Sequence, residues 1–216
     1  MTLKADLYFS FRSPYSYLAI GRYRAMGEEY DVDITLRTVW PIAIRDPGLL
    51  FSGNPNVPRY ILMDSMRSAQ MLGIPFRWPR PDPIVQDLAT REIAKDQPYI
   101  YRLGRMGQAA TRRGKGVAFA DEVSRIIFSG EVDDWHEGSH LADATARAGL
   151  DYAELSAEAE SDAAALDVEI AENQAALEAA GHWGVPTLVF EGEPFFGQDR
   201  IEMAKWRMEQ KGLARR

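Results

Sequence analysis

The sequence predicts an α/β fold: one sheet whose second and third strands are separated by a large all-helical insertion. Three stretches predict it. Leu3 to Phe11 is an apolar strand that runs straight into a helix start at Ser13-Pro14, and Val32 to Val39 alternates as a second strand. From about Asp87 to Ala180 the chain has almost uninterrupted helical character, too much for a simple crossover. Val185 to Phe196 then reads as two short strands about a Glu191-Gly192-Glu193 turn, followed by a last helix.

Each element has a local reason. Ser13 suits a helix cap, and Pro14 suits the first helical position, where its missing N–H costs nothing. Tyr15 to Glu29 carries Leu18, Tyr23 and Met26 at core spacing, so strand, helix and strand form a right-handed β-α-β unit. The first strand reads as buried on both faces. Trp40 to Pro58 is irregular and rich in proline and glycine; Tyr60 to Leu72 regains helical period and ends at Gly73, a C-cap. Trp78-Pro79-Arg80-Pro81-Asp82-Pro83 is stiff and extended, either a spacer or a pre-shaped site wall. Asp151 to Ala180 holds nine acids and no lysine or arginine, most simply a solvated face. Ala214-Arg215-Arg216 reads as a frayed end.

Composition excludes several functions. The chain of 216 residues has no cysteine, so disulfides, a dithiol cycle of its own and thiolate metal sites are ruled out. Any thiol chemistry must use a thiol carried by a ligand. The net charge of −7 argues against a nucleic-acid partner. Arg102, Arg105, Arg112, Arg113 and Lys115 lie in an acid-free stretch and read as a helix face set against solvent or the acidic segment. No apolar run approaches a membrane span, and Met1 to Asp6 has no signal-like core, so a cytoplasmic location is expected.

Two features bear chemistry. The start of the first helix offers the positive end of its dipole, and a thiolate beside Ser13 would be stabilised there. On these residues alone Ser13 is either a plain cap or such a stabiliser. His136-Glu137-Gly138-Ser139-His140 spells H-E-x-x-H, but Gly138-Ser139 and the preceding Asp133-Asp134 place it in a loop, where zinc chemistry on one helix face is not available. No metal site is predicted.

Ser13-Pro14-Tyr15-Ser16 on the first helix, paired with Val185-Pro186-Thr187 before a strand, resembles the thioredoxin superfamily. The serines stand where redox members carry Cys-x-x-Cys, and Pro186 where that fold has a cis-proline. The motifs Tyr8 to Ala19, Gly53-Asn54, Gly73-Ile74-Pro75-Phe76, Trp135-x-Glu137-Gly138, Gly184 to Thr187 and Phe196 to Arg200 follow in order over almost the whole chain. They are similar to 2-hydroxychromene-2-carboxylate isomerase and its relative, the kappa-class glutathione transferase.

That resemblance implies a thioredoxin-like domain of residues 1–58 and 181–216 around a helical domain of residues 59–180. It implies glutathione as cofactor and a small aromatic carboxylate as substrate, in aromatic-compound breakdown, by a homodimer. Ser13 would hold the glutathione sulfur as thiolate, and the Val185 backbone would pair with its peptide. Phe196, Gly197, Gln198, Asp199 and Arg200 would receive the γ-glutamyl end, through backbone N–H groups and opposite charges. Asn54 would face thiol and substrate. Arg45 and Arg59 are candidates for the substrate carboxylate; Arg59 follows a shortened loop that lacks the family's lysine. Trp40, Phe51, Trp78 and Trp135 either line the pocket or fill the core. A kappa-type transferase and a non-catalytic glutathione-binding protein are the alternatives.

Overall fold

The computed structural model describes residues 2–46, 54, 56–87, 90 and 92–216. Phe51 and Gly53, two residues singled out from the sequence, lie outside them. Strand β1 (Leu3–Phe9) and strand β2 (Val32–Thr38) pair in parallel from Leu3↔Val32 to Phe9↔Thr38, and helix α1 (Pro14–Glu29) joins them. Strand β3 (Thr187–Phe190) lies antiparallel to β1, and β4 (Glu193–Phe196) antiparallel to β3, giving the order β2-β1-β3-β4. The β3–β4 turn is Glu191-Gly192, both at positive φ (50° and 80°), the twist that matches a two-residue hairpin. Between β2 and β3 lie α2 (Ile42–Arg45), α3 (Asn56–Leu72), α4 (Ile100–Arg112), α5 (Gly116–Phe128), α6 (His140–Arg147), α7 (Tyr152–Ser161) and α8 (Ala163–Ala179). Helix α9 (Ile201–Glu209) closes the chain. Among the described residues no helix is long and apolar enough to cross a membrane.

The predicted α/β architecture is present, with differences of physical interest. β1 stops at Phe9 rather than Phe11, because Ser10 turns the chain: its carbonyl accepts from the Ser13 N–H at 3.1 Å. The strand is not buried on both faces throughout. Leu7 and Phe9 enter the main core beneath α1 and α9, whereas Lys4 and Asp6 on the other face stay accessible. That face gains cover only at Tyr8, where Leu177 of α8 and Val39 pack. Helix begins at Ile100, not Asp87. In the irregular stretch before it, the Gln97 side chain does the work of a strand, donating to the Val85 and Ala94 carbonyls and accepting from the Val85 N–H.

The acidic segment is not simply solvated. Arg105 of α4 forks onto Asp167 at 2.7 and 2.8 Å, and Arg112 reaches Glu158, Asp162 and Glu169. The basic face of α4 thus faces the acids of α7 and α8. The C-terminus is docked rather than frayed: Ala214 O accepts from the Asp31 N–H at 2.8 Å, and the Arg216 N–H donates to Glu29 O at 3.0 Å. The turn from α1 to β2 would otherwise leave those backbone groups unpaired.

A second ionic cluster joins α1, α5 and α6. Arg24 donates to Asp121 at 2.9 Å and Glu122 at 3.0 Å, and Arg147 donates to Glu122 at 2.7 Å. Burial alone would raise the Glu122 carboxyl, but the hydrogen bonds from Arg147 and Arg24 outweigh it and hold it below its ordinary 4.5. A carboxyl depressed in the folded state stabilises above its unfolded pKa, and that contribution disappears as pH falls through the folded value. Glu122→Gln should therefore destabilise by about 1–2 kcal/mol at pH 7. Urea unfolding at neutral pH and at about pH 3 is expected to show the difference from the parent shrinking in acid.

Candidate functional site

The C-terminal end of β1 and the N-terminus of α1 meet at Ser13. Its backbone is extended (φ −84°, ψ 117°), and its Oγ accepts from the Ser16 N–H at 3.2 Å, closing the cap. The same hydroxyl points at the Val185 carbonyl, 3.4 Å away across the chain. At that length the bond is weak, so the hydroxyl proton is free to turn toward a better acceptor. Val185-Pro186 is cis, as expected. The helix end offers less backbone than the sequence suggests: Pro14 has no N–H and Ser13 takes that of Ser16, which leaves the Tyr15 N–H.

Ser13 and Val185 lie on a cleft of about 420 Å³ with a mainly apolar wall. Arg45 and Phe196 line it too, as do Ile42 of α2 and Ile61 of α3. Four of the residues singled out from sequence therefore share one surface. Arg45 is half-buried; its guanidinium donates to the Trp40 carbonyl at 2.6 Å and the Trp183 carbonyl at 2.8 Å. Among the described residues it has no carboxylate within ion-pair distance, and burial pulls its pKa below the usual guanidinium value. Glu178 and Asp46 are the carboxylates near enough to act on it, and they oppose that shift.

The other candidates lie elsewhere. Asn54 is exposed at the head of α3, where its Oδ1 accepts from the Asn56 N–H at 2.9 Å. Arg59 is exposed on α3 outside the cleft wall. Gly197, at φ +106°, donates its N–H to the Pro186 carbonyl at 2.9 Å. Gln198 is buried, its carbonyl taken by Arg22 at 2.7 Å. Asp199 and Arg200 pair with each other at 2.6 Å in solvent.

Of the candidate aromatic wall, Trp40, Trp78 and Trp135 do not line the cleft. Trp135 is buried, and its Nε1–H donates to the Pro81 carbonyl at 2.8 Å. Asp82, next along, forks onto Arg12 at 3.1 and 3.2 Å, and Arg12 lies 5.2 Å over the Trp78 ring. The proline-rich stretch thus fixes Arg12, which does line the cleft beside Ser13. In H-E-x-x-H, residues 131–139 are irregular and α6 begins only at His140.

Sequence reasoning missed three cleft features. Arg12 carried no signal of its own beside the Ser13-Pro14 helix start. Ser10 lines the cleft, fully buried, and its Oγ has no hydrogen-bond partner among the described residues. The third is an aromatic stack at the rim: His182 lies 4.0 Å from Phe196 and 5.5 Å from Trp183, nearly parallel to both. His182-Trp183 directly before Gly184-Val185-Pro186 was the available signal.

No curated protein matches the sequence. Among solved structures, a 2-hydroxychromene-2-carboxylate isomerase superposes with a TM-score of 0.68 at 22% identity, covering 96% of this chain and 95% of that one. A probable DsbA oxidoreductase from Streptomyces coelicolor gives 0.65 at 17%, covering 96% and 89%. The cytosolic disulfide reductase DsbM from Pseudomonas aeruginosa, determined with glutathione, gives 0.58 at 17%, covering 97% and 100%. At these identities the likeness is one of fold. A family model, however, matches residues 4–209, nearly the whole chain, and by it the protein belongs to the DSBA-like thioredoxin domain family.

Proposed function

We propose that the protein is a glutathione-dependent cis-trans isomerase of the 2-hydroxychromene-2-carboxylate type, acting on a small aromatic carboxylate. The observation that carries this reading is the meeting of the Ser13 hydroxyl and the Val185 carbonyl on the wall of an apolar cleft that also holds a half-buried arginine, its guanidinium hydrogen-bonded to two carbonyls. In a chain without cysteine, that site has the parts for holding a borrowed thiol.

The residues fit glutathione. The Val185 N–H has no protein acceptor among the described residues, so its main chain can pair with a peptide in the manner of strand addition. The Ser13 hydroxyl and Tyr15 N–H are donors at the positive end of a 16-residue helix, and both favour a thiolate over a thiol. Bound glutathione would supply the nucleophilic sulfur whose reversible addition to a conjugated double bond permits rotation. Arg45 would clamp the substrate carboxylate, its guanidinium already aimed by two carbonyls. The apolar wall excludes water and strengthens both interactions. A cytoplasmic homodimer with a place in aromatic-compound breakdown belongs to the same reading.

Product analysis with glutathione and 2-hydroxychromene-2-carboxylate tests it. The expected result is a trans product with all glutathione recovered. Consumption of glutathione into a stable conjugate would make the protein a kappa-type transferase. Glutathione binding with no conversion of any conjugated carboxylate would leave a binding protein on this scaffold.

A further inference from the structure

The cis-proline loop is held by a residue outside the cleft wall. The peptide between Trp183 and Gly184 is gripped at both edges. Its carbonyl accepts from Arg45 at 2.8 Å, and its N–H donates to the His182 Nδ1 at 2.9 Å. The next residue is Val185. An Nδ1 that accepts is unprotonated, so His182 is neutral with its proton on Nε2.

The ring is fixed from other directions as well. The His182 backbone N–H donates to the Leu177 carbonyl at the end of α8, which anchors the residue, and the ring stacks on Phe196 of β4. Gly184 has no room for a side chain: a Cβ there would lie 2.5 Å from the Phe196 ring and 3.1 Å from that of His182. Histidine ring, glycine N–H and Phe196 therefore form one packed unit, and Phe196 and Trp183 are cleft wall.

We infer that His182 is a positioning residue for the cleft: its neutral imidazole sets the Trp183–Gly184 peptide, and through it Arg45 on one side and the Val185 main chain on the other. The inference rests on the glutathione-binding reading above. Protonation of Nδ1 replaces an acceptor with a donor facing the Gly184 N–H, and the grip fails. The charged groups around it are few. Arg45 of α2 holds the opposite edge of the same peptide, and Glu178 of α8 and Asp46 act on Arg45. Asp199 and Arg200, after β4, are paired with each other. Among the described residues none forms an ion pair with His182. Burial favours its neutral form.

The test is binding of S-methylglutathione between pH 5 and pH 7.5. That probe has no ionisable thiol, so its own groups hold their charge across the range. The other two histidines, His136 and His140, lie outside the cleft wall. Affinity of the parent protein is expected to fall toward the acid end of that range, below the ordinary imidazole range, because burial favours the neutral ring. His182→Phe keeps a ring in the stack and removes the acceptor; its affinity at pH 7.5 should be about fivefold weaker, and flat with pH. His182→Asn should recover most of the loss, because an asparagine oxygen accepts from the N–H two residues on, and should also be flat. Parent-like affinity in His182→Phe, or a pH dependence that survives in His182→Asn, would overturn the assignment. Failure of the parent protein to bind the probe at any pH would instead overturn the glutathione reading.

Discussion

Ser13→Ala is expected to lower turnover by about 10²- to 10³-fold, the usual loss for one hydrogen-bond donor aimed at a reacting anion. The hydroxyl is the donor at the N-terminus of α1 that faces the Val185 turn, and its present contact there is long at 3.4 Å. Its removal leaves the Tyr15 N–H and the helix dipole at that end of α1 to hold negative charge. The same substitution removes the helix cap, at a stability cost of about 1 kcal/mol. Ser13→Gly separates the two roles: glycine caps within a few tenths of a kcal/mol of serine but donates nothing through a side chain. Both variants should lose turnover alike, while unfolding curves show Ser13→Gly close to the parent. Parent-like turnover in Ser13→Gly would reduce Ser13 to a cap.

Trp135→Ala is expected to have the largest effect on stability, about 3–5 kcal/mol, because it empties a fully buried site of the largest side chain. Against a typical total of about 5–15 kcal/mol, that leaves the fold marginal. The effect reaches the cleft by a short chain of contacts. Trp135 holds the Pro81 carbonyl, Asp82 follows, and Asp82 fixes the Arg12 guanidinium on the cleft wall. Trp135→Phe keeps most of the volume and removes the Nε1–H bond, so its cost should be near 1 kcal/mol. Chemical denaturation of the three proteins gives both numbers. Equal midpoints for Trp135→Ala and the parent would mean that the site relaxes fully around the missing ring.

Much of the fold was legible because the sequence punctuates it strongly. Ser13-Pro14 announces the start of α1, Glu191-Gly192 the hairpin, and Gly73 the end of α3, each through backbone preferences that tertiary packing does not reverse. The cis Val185-Pro186 bond and its place opposite Ser13 came from family resemblance rather than from local pattern. The fate of charges was less legible. Nine acids in Asp151 to Ala180 look solvated taken alone; the basic stretch from Arg102 to Lys115 left solvent and the acidic segment both open as partners, and the fold decides for the acids. Arg45 and Arg59 read alike as loose basic residues. Only the fold shows Arg45 turned into the cleft by two carbonyls and Arg59 left in solvent. Asn54, which the resemblance sets facing thiol and substrate, turns its Oδ1 to the Asn56 N–H at the start of α3. His182 escaped notice because its role depends on Phe196, which β4 brings back from later in the chain.

A cysteine-free chain that works through glutathione must ionise a borrowed thiol, and we propose that it does so at the head of α1. Ultraviolet absorbance of the thiolate, followed against pH with glutathione bound, tests it most directly. The expected thiol pKa is depressed by at least about one unit, worth ~1.4 kcal/mol, in the parent protein, and restored toward the free value in Ser13→Gly. Saturating glutathione whose thiol titrates as it does in water, identically in both proteins, would contradict it.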